Sequence, residues 1–166
     1  SQQIDWKRAL LNFPKGLEVF ISQRTMFKTR PIIGFIHAIV AWGFTLYLVV
    51  NVVDVLYGFI PGFHFFPNYL IGKAYRLFVD VFTVLVLLGV VYFLVRRFIF
   101  KDYRLIINEP VMLNDRAKKG MKNDSLIVGL FILLHVGSRL LAASFEIARN
   151  GSDTFQPAAT TIALLW

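Results

Sequence analysis

Two of the three histidines and a few charged side chains fall where water cannot serve them. His37 lies about five residues inside an uncharged run, Ile32–Val53 (IIGFIHAIVAWGFTLYLVVNVV), and His135 lies near the middle of another, Ser125–Ala148 (SLIVGLFILLHVGSRLLAASFEIA). An imidazole at such depth needs a partner. The chemistries open to it are axial ligation of a haem iron, ligation of a chlorophyll-type magnesium, a place in a proton path, or a hydrogen bond to a neighbouring helix. Two histidines sharing one haem must sit at similar depth. At about 1.5 Å per residue, His37 is roughly 8 Å and His135 roughly 15 Å from one membrane face. Ligation of His37 by a helix outside this chain is therefore favoured over a His37–His135 pair, and a packing or hydrogen-bonding role is favoured for His135. His64 stands among Phe63, Phe65 and Phe66 in a connecting loop and suits an interfacial role.

Arg139 and Glu146 share one face of their helix, since seven residues make nearly two turns. With Asp80 and Asp54 they fall toward the same side of the membrane. Charges in lipid are tolerated when paired, so a contact of Arg139 with Asp80 or Asp54 is expected to lock the bundle there. A quinone or proton site is the sharper alternative.

The elements that position these residues follow from apolar length. The chain has 166 residues, 57% hydrophobic, 16% aromatic and only 17% charged, with a mean hydropathy of +0.62. That composition excludes disorder, and the absence of cysteine excludes a disulfide scaffold and any cysteine-ligated cluster within the chain. Runs of about 20 apolar residues match a hydrocarbon core of about 30 Å. They predict spans over 32–56, 77–98 and 125–148, with the start of a fourth over 157–166. The second run, rich in Val79, Val81, Val84 and Val86, does not alternate as a membrane strand would. The first run is too long and too far along the chain for a signal peptide. PAATTIALLW is too short to span, so the chain reads as part of something longer.

Residues 1–30 read as an amphipathic interfacial arm, in which Trp6, Leu10, Leu11, Phe13, Leu17, Phe20 and Ile21 alternate with Lys and Arg, interrupted at Pro14-Lys15-Gly16. Small residues (Gly34, Ala38, Ala41, Ala142, Ala143) mark expected close helix contacts. The net charge of +8 is concentrated in the arm and in the 96–124 loop. The positive-inside rule places both in the cytoplasm. Topology and contact with anionic lipid account for these charges, and no nucleic-acid partner is expected. There is no internal repeat, phosphate-binding loop or HExxH motif.

The stretch SQRTMFKTR followed by RPIIGFIHAIVAWGF resembles the second membrane helix of the cytochrome b-like domain of respiratory nitrate reductase gamma subunits. It is closer to the version fused ahead of heterodisulfide-reductase-like iron–sulfur oxidoreductases. ASFEIARNGSDTFQP with ATTIALLW is similar to that family's fourth helix and the start of its fifth. The resemblance covers Arg24 to Trp166 and implies a five-helix domain holding haem b between helices two and five. It implies that His37 is the axial metal ligand nearer the cytoplasm. A second, outer haem is disfavoured, because Thr45, Leu46, Tyr47 and Leu48 stand where the family's further histidine would fall.

The combined expectation is an all-α, polytopic transmembrane helix bundle of three full spans plus the start of a fourth, truncated relative to the five-helix domain. Its function would be membrane anchoring and haem b-type electron transfer, with quinone as substrate and iron–sulfur clusters only in a missing domain or partner. Candidate cofactor-binding residues are His37 and His135. The expected partners are the lipid bilayer, membrane quinone and an iron–sulfur or flavoprotein electron partner within a multi-subunit complex, in a prokaryotic cytoplasmic membrane. The alternative is a non-catalytic structural or pigment-binding subunit of a respiratory or photosynthetic complex.

Overall fold

The computed structural model describes residues 6–29, 31–66, 69–100 and 115–166. In order these form α1 (Trp6–Ser22), α2 (Arg24–Thr29), α3 (Pro31–Phe59), α4 (Leu70–Phe98), α5 (Asp115–Asn150) and α6 (Pro157–Ala163), with no strand among the described residues. The fold is an all-α bundle. Most of the long basic loop, 101–114, lies outside the described residues.

α3, α4 and α5 are long and apolar enough to cross a membrane. α3 and α4 have 29 residues each, about 43 Å at the rise of an α-helix, so both overreach a hydrocarbon core of about 30 Å. Only 11% of the most apolar window of α5 is buried within the chain, so its surroundings must be as apolar as lipid. Phe44, Leu48, Phe78, Leu88, Phe131 and Leu134 all face outward.

Lipid removes the hydrophobic drive between helices, so close packing and hydrogen bonds must hold the bundle. α3 and α4 run antiparallel and meet through glycine. A methyl group on Gly43 would overlap the Val86 side chain, and one on Gly89 would come within 2.7 Å of Val40 Cγ2. Further along the seam the Thr83 hydroxyl donates to the Val79 carbonyl at 2.6 Å, so the buried Tyr47 hydroxyl donates to Thr83 at 2.5 Å. α5 then packs against α4, with Leu94 filling the space over Gly129.

Two boundaries differ from the sequence reading. α4 begins at Leu70, about two turns before the apolar run, because Lys73 and Arg76 find partners in the α5–α6 turn. α1 runs unbroken through Pro14. On that exposed helix the carbonyl released by proline still reaches solvent. The chain turns at Gln23 instead, whose φ of 46° ends the helix while its side-chain amide donates to the Phe20 carbonyl at 2.7 Å. The Trp42 indole N–H donates to the Ile21 carbonyl at 3.2 Å, tying the arm to α3.

Gly72, in the first turn of α4, tests the packing. A methyl group there would run into the backbone carbonyl of Phe66, which cannot swing aside, whereas nothing lies within 4 Å of one at Gly137. Gly72→Ala is expected to lower stability in detergent unfolding by about 1–3 kcal/mol. Gly137→Ala should be neutral or gain up to about 1 kcal/mol of helix propensity.

Candidate functional site

The polar residues that the sequence places toward one side of the membrane converge at the end of the bundle that carries the α3–α4 loop. There a cavity of about 360 Å³ opens between α3, α4 and α5. Asp54 and Tyr57 enter it from the last turns of α3, and Tyr75, Arg76, Asp80 and Thr83 from the first half of α4. Arg139, Ala143 and Glu146 enter from α5. Their spacing of four and three residues puts them on one helix face.

Arg139 makes a two-pronged contact with Asp54. Nε donates to Oδ2 at 2.8 Å and Nη2 to Oδ1 at 3.2 Å. The guanidinium fork matches a carboxylate in this geometry and fixes α5 against α3 in rotation as well as height. The side chains are 27% and 47% exposed, so the pair is open to the cavity and its solvent. Of the two carboxylates expected for Arg139, it is Asp54 that meets it.

Asp80 is committed elsewhere. Only 5% exposed, it accepts the backbone N–H groups of Ala158 at 2.7 Å and Ala159 at 3.0 Å, one on each oxygen. These are free donors of the first turn of α6, where Pro157 has no N–H to offer. The carboxylate also lies at the positive end of that helix. One turn away on α4, Arg76 Nε donates to Asp153 Oδ2 at 2.9 Å, and Asp153 Oδ1 accepts the Phe155 N–H at 2.9 Å. The Lys73 and Arg76 cations stand 5.5 and 5.9 Å from the Phe155 ring centroid. α4 thus clamps the whole α5–α6 turn.

The histidines have three different environments. His135 Nε2 lies 3.2 Å from Asn51 Oδ1, which makes that nitrogen the donor, and its ring stacks on Phe131 at 6.0 Å. His37 is exposed on α3, edge-on to Phe93 at 6.4 Å, and has no hydrogen-bond partner among the described residues. The two are not brought together. His135 is level with Asn51, about 14 residues and roughly 21 Å along α3 from His37. His64 packs against Tyr57 at the cavity rim, at 5.5 Å between rings. Among the described residues no group of three or more His, Asp or Glu is placed to hold a metal ion.

Sequence reasoning does not single out Tyr75, whose buried hydroxyl has no hydrogen-bond partner among the described residues, or the Asn51 and Asp153 contacts. A lone tyrosine or asparagine in an apolar run carries no spacing signal. Arg76 and Asp153 lie 77 positions apart in flanking segments. No protein-family model, curated protein or solved structure matches the chain.

The Arg139–Asp54 contact is expected to couple the two helices by about 1 kcal/mol in a double-mutant cycle of Arg139→Leu and Asp54→Leu, read by unfolding in detergent. Additive effects would show that the pair does not lock the bundle. Asp80→Ala, which strands two backbone donors, should cost about 1–3 kcal/mol and expose the 151–157 turn to protease.

Proposed function

We propose that this chain is the membrane-embedded part of a haem b-type electron-transfer protein. It would link membrane quinone to a cytoplasmic iron–sulfur partner, as in the nitrate reductase gamma-like domains that its sequence resembles. The observation that carries the reading is His37. A ring capable of metal ligation stands near one end of a membrane helix with no hydrogen-bond partner among the described residues, while His135 has a protein partner. A histidine retained in lipid without a partner inside its own bundle is accounted for by a ligand outside it.

Among the described residues, His37 would be the one side chain to hold a haem iron. The ring nitrogens of His37 have no hydrogen-bond partner among the described residues, and the ring stands edge-on to Phe93. His135 does not fit the same iron, because its Nε2 faces Asn51 on another level of the bundle. A bound haem would supply one-electron chemistry that no side chain of this sequence can perform. The chain's own contribution would be to fix the height of the imidazole, and the exposed ring leaves room for a group beside α3. The glycine seam between α3 and α4 sets that height, since Gly89 opposes Val40 and Ile36, within a turn of His37. The second ligand, the iron–sulfur centres and the quinone would belong to the assembled protein.

The test is a reduced-minus-oxidised visible spectrum of the full-length protein in its membrane, for the wild type and for His37→Ala and His135→Ala. Low-spin b-type bands should be present in the wild type, lost in His37→Ala and kept in His135→Ala. A well-folded wild-type protein without haem bands overturns the reading. Chlorophyll-type absorption in their place would establish the pigment-binding alternative.

A further inference from the structure

The cavity at the loop end has a charge pattern and a depth that the electron-transfer reading leaves unused. α3 and α4 exceed the hydrocarbon thickness by about 13 Å, or roughly 6–7 Å at each end. Asp54 lies five residues before the end of α3, Tyr75 five residues after the start of α4, and Glu146 four residues before the end of α5. Each is about 6–8 Å from its helix end. The cavity therefore straddles the boundary where acyl chains give way to headgroups. Its volume of about 360 Å³ is at the small end of ligand pockets, which run from about 300 to 1,000 Å³. A headgroup would fit there, with the acyl chains remaining in the bilayer.

The lining carries two arginines and three carboxylates, and four of the five already have partners. Arg139 is held by Asp54, Arg76 by Asp153, and Asp80 by two backbone N–H groups. One of these charged groups is left over. Glu146 has no hydrogen-bond or ion-pair partner among the described residues and stands near the C-terminal end of α5, where the helix dipole disfavours a carboxylate. It lacks a cation. Arg139 spends two of its five N–H donors on Asp54 and has others for an anionic oxygen. The missing partner thus presents an ammonium that donates hydrogen bonds and an anionic oxygen that accepts them, at headgroup depth.

We propose that this cavity binds the zwitterionic headgroup of phosphatidylethanolamine, its ammonium on Glu146 and its phosphate toward Arg139. The site selects against phosphatidylcholine, whose quaternary ammonium has no N–H for Glu146. It selects against phosphatidylglycerol, which brings a negative charge and no cation. The proposal does not depend on haem or on the redox function.

The protein is reconstituted in nanodiscs containing equal amounts of phosphatidylethanolamine, phosphatidylcholine and phosphatidylglycerol, and retained lipid is measured by native mass spectrometry. One phosphatidylethanolamine should be retained about tenfold over its share of the mixture. Glu146→Gln, at an exposed position with no contact to lose, should abolish the preference. Retention in proportion to the mixture, a preference for either of the other lipids, a quinone in place of phospholipid, or an unchanged preference in Glu146→Gln would each overturn the proposal.

Discussion

A carboxylate that enters a membrane helix must be met by donors, and the way Asp80 is met organises one end of this molecule. Its two oxygens take two of the free N–H groups of α6, so one side chain satisfies a buried charge and a helix terminus together. Neither could stand alone. A stranded carboxylate in lipid is costly, and an uncapped helix start would leave donors that lipid cannot serve. The joint solution also sets direction, because α6 can leave the headgroup region only where its first turn rests on α4.

The same constraint runs through the rest of the bundle. Helices in lipid gain little from burying apolar surface against one another, and their relative height must come from directional contacts. α4 supplies most of these. Thr83 receives the Tyr47 hydroxyl from α3, while Arg76 and Lys73 hold the α5–α6 turn. α5 reaches α3 directly through Arg139 and Asp54. The polar contacts lie mainly toward the loop end. In the other half, the α3–α4 seam is carried by glycine and aliphatic packing around Gly89 and Val40.

The sequence makes the spans legible because lipid imposes length directly: a run of about 20 apolar residues has few other uses. Arg139 is legible for the same reason, since a guanidinium in such a run demands an anion. Which anion answers it is not legible. Asp54 and Asp80 lie at similar height, and the choice depends on where α6 starts, a fact held in the Pro157 turn and not in either span. Pro14 misleads in the opposite direction. Proline breaks a helix when its neighbours shield the freed carbonyl, and on the exposed α1 nothing does. The extra turns of α4 were hidden because Lys73 and Arg76 look like flanking charges until Asp153 and Phe155 are beside them.

The contrast between His37 and His135 follows from these positional locks. Both are exposed rings in apolar helices, and composition gives no reason to treat them differently. The Arg139–Asp54 contact sets the height of α5, and one turn earlier that height brings His135 opposite Asn51. His135 therefore shares in the same network that holds the helices together. His37 lies on the other half of α3, where the seam is made of glycine and methyl groups. His37 there has the edge-on contact with Phe93 and no hydrogen-bond partner among the described residues, so the network that fixes His135 does not reach it.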